Sequence, residues 1–157
     1  MYILAVIGVI LAVLLNTAVS ESGLDAAISY LDYISILQFV IIIIPILAAS
    51  GLLKDFNNAL KLVIGRKKAE SMLQLKRAKE AVKLAANTSL ASGAMATCCG
   101  FIVNVHNSIS STGIDIEELA SGSAVSVLTM FYGLVLYLLL LPVKSKIEIK
   151  ISEFMQE

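Results

Sequence analysis

All 12 basic residues of this 157-residue chain fall in two stretches, Lys54–Lys83 and Lys144–Lys150. Outside them run four apolar segments, approximately 1–18, 34–53, 87–105 and 120–141, and none contains Asp, Glu, Lys or Arg. A helix needs about 20 apolar residues to cross a ~30 Å hydrocarbon core. Each segment is close to that length, and Met1–Ala18 reaches it with some tilt or local thinning. That first segment has no basic stretch ahead of its apolar run, so it reads as an uncleaved span rather than a signal peptide. Composition agrees. The chain is 58% hydrophobic and 15% charged, with a mean hydropathy of +0.88, whereas soluble domains are nearer half apolar and a quarter charged. The expected fold class is all-α: one polytopic membrane domain over 1–157, with four transmembrane helices and a short cytoplasmic helical connector.

The charge map gives this expectation a direction. Positively charged loops stay on the cytoplasmic side. The connector 54–86 and the tail 143–157 are therefore read as cytoplasmic, and both termini with them, in the inner membrane. The loops 19–33 and 106–119 carry acidic residues only and are read as non-cytoplasmic. Net charge is zero, which removes any general attraction to nucleic acid.

Local signals refine the segments. Gln38 and Pro45 interrupt the second span. Proline costs about 3 kcal/mol in a soluble helix interior, but in a membrane neighbouring helices satisfy the freed carbonyl and the helix can kink. In the connector, Leu53, Phe56, Leu60 and Val63 recur at helical spacing, and Gly65-Arg66-Lys67-Lys68 breaks the pattern. Met72, Leu75, Ala78, Val82, Ala85 and Ala86 then share a face. This predicts an amphipathic hairpin, or one bent helix, rising into the third span. Its polar side reads either as a solvated surface or as a docking surface. In the tail, Ile147, Ile149 and Ile151 alternate with charges, and after a long span this reads as a frayed helical extension rather than a strand.

Cys98 and Cys99 are adjacent, with neither zinc-ligand spacing nor a disulfide framework, and read as small buried residues. His106 stands alone at a span boundary, in an interfacial or capping position. With no phosphate loop, metal spacing or base–nucleophile pair, the sequence gives no reason to read an enzyme or a cofactor.

Helical periodicity sets Gly93, Thr97, Gly100 and Asn104 on one stripe of the third span. Gly122, Ser126, Thr129 and Gly133 form another on the fourth. Small residues allow close helix approach, and hydroxyls can bond across the contact. One reading of both stripes is packing, with Gly93, Gly100 and Gly133 at the contacts. The other is that some hydroxyls face a wet cavity and help pass an ion. Ion carriers within membranes normally rely on an ionisable or densely coordinating site. With no acid in any span, this chain supplies at most half of an ion path, and a partner must bring the carboxylate.

Three stretches carry a resemblance. Tyr30–Leu47, YLDYISILQFVIIIIPIL, followed by Leu53-Lys54-Asp55-Phe56, is similar to the second span of flagellar stator A subunits. Gly93–Phe101, GAMATCCGF, resembles their third span. Gly122–Leu141, with Val127-Leu128-Thr129-Met130-Phe131-Tyr132-Gly133 and then Leu140-Leu141-Pro142, resembles their fourth. The chain is thus similar to the MotA/PomA group within the MotA/TolQ/ExbB proton-channel family. The resemblance implies a homopentameric ring in the lipid bilayer around two copies of a single-span B subunit (MotB/ExbD/TolR-like) whose aspartate carries the ion. It places Thr97 and Thr129 on the ion path, and Met130 and Ser126 are read as lining the same path. Met130 stands where the family has a second threonine, and Leu90 where it usually has proline. A thioether is a much weaker acceptor than a hydroxyl, so a transported proton is favoured over sodium. The connector Lys54–Ala86 replaces a much larger cytoplasmic domain that grips the flagellar rotor, which points to a machine other than the flagellum. The expected function is an A-type subunit of an ion-motive-force-driven rotary motor. The alternative is a non-conducting membrane scaffold of the same ring architecture.

Overall fold

The computed structural model describes residues 6–9, 11–12, 33–65, 71–110 and 113–156. The first expected span therefore lies outside the described residues, apart from the helical pieces 6–9 and 11–12. The described chain is helical: α1 (Tyr33–Ala49), α2 (Leu53–Val63), α3 (Met72–Ser108) and α4 (Ile116–Phe154), with two-residue strands β1 (Ile109–Ser110) and β2 (Gly113–Ile114) between α3 and α4.

Of these, α3 and α4 are long and apolar enough to cross a membrane. At 1.5 Å per residue their 37 and 39 residues extend about 55 Å and about 58 Å, well beyond a hydrocarbon core. Among the described residues a third crossing exists only if α1 and α2 count as one broken span, because their axes differ by 109°. Of the four expected spans, the described residues thus hold two, or three with the bent pair, and the first lies outside them.

The break that shortens α1 is a backbone event at Gly51. Helix α1 runs through Pro45 and stops where Gly51 takes φ +64°. The Leu52 N–H then donates to the Leu47 carbonyl at 2.9 Å and the Gly51 N–H to the Ala48 carbonyl at 3.0 Å. This pair of bonds is the Schellman termination, which needs a left-handed residue and favours glycine. The second expected span, drawn to Leu53, therefore ends four residues early, and the chain turns aside into α2. Nothing lies within 4 Å of a Cβ placed on Gly51, so only backbone strain opposes substitution. Gly51→Ala is expected to lower unfolding stability by about 1 kcal/mol, the cost of a left-handed L-residue. Gly51→Asn should lose less, because asparagine tolerates that region. Reversible denaturation in detergent micelles measures both, and equal losses for the two variants would refute the backbone account.

Helix α3 begins at Ser71, whose hydroxyl accepts the Gln74 N–H at 3.2 Å, and continues unbroken to Ser108. The second half of the connector and the third span are one helix. Helix α4 begins at Asp115, whose carboxylate accepts the Glu118 N–H at 3.0 Å, with Glu117 and Glu118 in its positive first turn. It passes through Pro142 to Phe154, so the charged tail is helical. The connection 106–119, read as a loop, holds a small antiparallel pairing of Ile109 with Ile114 and Ser110 with Gly113. This turn makes α3 and α4 an antiparallel hairpin.

At the basic end the three helices α2, α3 and α4 form a core. Ala59, Leu62 and Val63 of α2, Leu75, Ala78 and Val82 of α3, and Val143 and Ile147 of α4 are buried together. Lys150 donates to the Leu62 carbonyl at 2.7 Å and Lys146 to the Val63 carbonyl at 3.4 Å. Two cations of α4 thus meet the negative C-terminal end of α2. Arg77 pairs with Asp55 at 3.0 Å and also reaches the Gly51 carbonyl at 3.3 Å. Lys79 pairs with Glu148 at 3.0 Å, and that hydrogen bond holds the Glu148 carboxyl below its ordinary pKa. A lowered carboxyl pKa adds stability above the unfolded value, so the contribution is present at neutral pH and is lost as pH falls through the folded value.

Candidate functional site at the helix seam

The α3–α4 hairpin is held at its closest where the two small-residue stripes meet. Along α3 the stripe is Gly93, Thr97, Gly100, Asn104; along α4 it is Gly122, Ser126, Thr129, Gly133. The two face each other in strict antiparallel register. A Cβ on Gly133 would lie 2.8 Å from the Ser89 carbonyl oxygen and 3.2 Å from Gly93 Cα. A Cβ on Gly93 would lie 3.2 Å from both Gly133 Cα and the Thr129 carbonyl. Further along, Gly100 abuts the Ser126 side chain and Gly122 abuts Asn104. The backbones approach this closely because these positions carry no side chain.

Between the glycines lies a row of hydroxyls and one amide. Thr97 Oγ1 is 2.9 Å from the Gly93 carbonyl, 2.9 Å from the Ser126 carbonyl and 3.0 Å from Thr129 Oγ1. Thr129 donates to the Ser126 carbonyl at 2.7 Å. Ser126 donates to the Gly122 carbonyl at 2.9 Å and accepts from Asn104 Nδ2 at 2.8 Å. A hydroxyl has a single proton, so Thr97 cannot satisfy three partners at once. The threonine pair and the Ser126 carbonyl therefore have several interchangeable donor arrangements. Ser126 and Thr129 are buried and Thr97 is half-buried.

Ser126 and Thr129 of this row border a cleft of about 520 Å3 between α1, α3 and α4 whose wall is part polar and part apolar. Its polar wall includes Ser126, Thr129, Asn104 and, from α1, Ser35 and Gln38. Gln38 is the residue that sequence reasoning undervalued. It stood out as an interruption of an apolar span, and a lone amide there was the available signal. Asn104 was placed on the stripe, but its link to Ser126 needs the register of the two helices. The cleft wall does not include Thr97, which sits behind Thr129, or Met130, which is half-buried with its Cα close to Gly93. The structure therefore gathers Thr97, Ser126 and Thr129 into one hydrogen-bonded group and leaves Met130 beside it.

Cys98 and Cys99 are both exposed, which corrects the expectation that they are buried. They flank the seam instead of entering it, and Cys99 borders the cleft. His106 is exposed in the last turn of α3, where a cation would complement the helix C-terminus. No protein-family model matches the sequence, and no curated protein or solved structure shows significant similarity to it.

Proposed function

We propose that the chain is the A-type subunit of a rotary complex driven by ion motive force. On this reading several copies, five by the resemblance to stator subunits, surround a single-span partner in the inner membrane, with both termini of each copy cytoplasmic. The observation that carries the proposal is the acid-free hydroxyl row of Thr97, Thr129 and Ser126, whose Thr129 and Ser126 border a cleft beside Asn104 and Gln38. Hydroxyls and amides with exchangeable donor arrangements can relay a proton. They lack the ionisable group that holds it, and the partner's carboxylate would supply that. Met130 offers no oxygen where a sodium ion would need one, so the transported ion is a proton.

The scaffold reading draws on one observation. The seam hydroxyls all have carbonyl partners within the hairpin, as pure packing would require. Mass determination of the complex, purified in the presence of any single-span protein encoded beside it, tests the proposal. It is expected to give several copies of this chain around fewer copies of the partner. A stable monomer or dimer in the presence of that partner would overturn it.

A further inference from the structure

The cleft beside Ser126 and Thr129 runs along one half of the membrane segment. Its wall begins at Gly122 and Asn104, beside the acidic connection 106–119, and reaches Thr129 near the middle of the apolar segment 120–141. At 1.5 Å per residue the step from 122 to 129 is about 10 Å. The midplane of a ~30 Å hydrocarbon core lies about 15 Å from its surface, so the cleft ends close to that plane. Past Thr129 the polar wall stops. There Gly93 and Gly133 are in contact, and the buried Phe39 ring lies 3.5 Å from a Cβ placed on Gly133. Phe39 also lines a wholly apolar cavity of about 500 Å3 between α1, α2 and α4. One half of the segment therefore holds polar groups along a cleft, and the other is apolar.

The amides of the cleft have hydrogen-bonding capacity that the described residues leave unused. Every fully buried side-chain polar atom among them has a partner, and the seam hydroxyls are all bonded. Gln38 is different. It is half-buried on the cleft, and its amide bonds to no described residue. Asn104 gives one N–H to Ser126, and its carbonyl oxygen accepts nothing. Lipid chains offer an amide no partner, and polar groups at membrane depth are tolerated where they line a water-filled cavity. Water needs polar partners and room. Two amides beside the Ser126 and Thr129 hydroxyls supply the partners. The volume of about 520 Å3 supplies the room, since a water takes up about 30 Å3.

We propose that this cleft is a water-filled half-channel, open at the 106–119 end of the molecule and closed at Phe39, in which water held by Gln38 and Asn104 carries protons to Thr129. On the topology given by the charge map its mouth is non-cytoplasmic. Asp115, Glu117 and Glu118 are exposed at that end, and their charge concentrates cations there. The inference deepens the proposed function by giving the threonine relay a side of access, and it rests on that reading for the use made of the water. The water itself requires only that the chain spans a membrane.

Cys98 and Cys99 report on the cleft without any substitution. Both are exposed, and Cys99 lines the cleft whereas Cys98 does not. Methanethiosulfonates with a fixed positive charge stay in water and attack the thiolate, the reactive form of cysteine. The full chain is placed in vesicles in known orientation, the trimethylammonium-ethyl reagent is added on one side at a time, and peptide fragmentation assigns the label to 98 or 99. Cys99 is expected to react several-fold faster than Cys98, and only from the side of 106–119. Gln38→Leu should slow the Cys99 reaction several-fold by drying the cleft, and Gln38→Asn, which keeps an amide, should slow it less. Equal rates at the two cysteines, silence at Cys99, or reaction from the basic side overturns the proposal. Silence is also the result if a lipid chain or a second copy of the chain fills the cleft. An unchanged Cys99 rate in a folded Gln38→Leu chain overturns it as well. The measurement on the unmodified chain stands if that variant misfolds. No partner protein is present, so a dry cleft leaves the subunit reading to be judged by the mass of the complex.

Discussion

Replacing Gly133 by leucine is expected to prevent α3 and α4 from closing along their membrane segment. The reason is what the new side chain would meet. A Cβ at Gly133 is aimed at the Ser89 carbonyl oxygen, 2.8 Å away, and at Gly93 Cα, 3.2 Å away. Both are backbone atoms of an unbroken helix, so neither can swing aside. Even Gly133→Ala should cost about 1–3 kcal/mol, the usual range for overpacking, and leucine should cost more because the helices must separate. Gly93→Ala should cost less, since its nearest contacts are at 3.2 Å. Gly122→Ala meets the Asn104 side chain, which can rotate away, and Gly100→Ala meets the Ser126 hydroxyl, which can rotate, and Ser126 Cβ at 3.0 Å, which cannot. Those two should lose the Asn104–Ser126 hydrogen bond. Reversible unfolding in bicelles ranks the four alanine variants, with Gly133 first. A Gly133→Leu protein as stable as the parent would show that the seam is not where the helices meet.

The sequence was most informative where one physical rule acted alone. The absence of charge from 87–105 and 120–141 was enough to identify both long membrane helices. Helical spacing was enough to set the two small-residue stripes, because that periodicity depends on nothing outside each helix. What sequence could not supply was register. Gly93 meets Gly133, and Asn104 meets Gly122 and Ser126, only because the β1–β2 pairing fixes how far α3 slides along α4. The cleft beside Ser126 and Thr129 was hidden for the same reason. Gln38 joins Asn104 and Ser126 through the packing of α1, which no local pattern encodes. The end of the second span was misread for a different reason. Ser50-Gly51-Leu52 lies inside a hydrophobic run, and hydropathy outweighed the glycine signal that terminates the helix. The cysteines were misplaced because cysteine is commonly buried, whereas a membrane helix can expose apolar and small residues outward.

The threonine pair separates a working ion path from a packed seam. Thr97→Val and Thr129→Val keep shape and volume nearly constant while removing one hydroxyl each. Within a membrane such a bond contributes on average only about 0.6 kcal/mol, with a maximum near 1.7. Each variant is therefore expected to assemble normally and to unfold within about 1 kcal/mol of the parent. Activity responds to a different quantity. If Thr97 and Thr129 exchange a proton through their 3.0 Å contact, removing either one interrupts the relay. Ion-driven output should then fall by more than tenfold, equivalent to over ~1.4 kcal/mol on a barrier, which exceeds the average stability loss. Ser126→Ala should be milder, since the Ser126 carbonyl that both threonines contact is retained. The double variant decides the point. On a shared relay the second valine adds little to the first, because the path is already broken. In a scaffold, both single variants keep full output, and their small stability losses combine with a coupling set only by the hydroxyl–hydroxyl bond. Proton flux into vesicles holding the complete complex, measured beside unfolding of the same preparations, distinguishes these outcomes, and unchanged flux in both valine variants would leave the seam as packing alone.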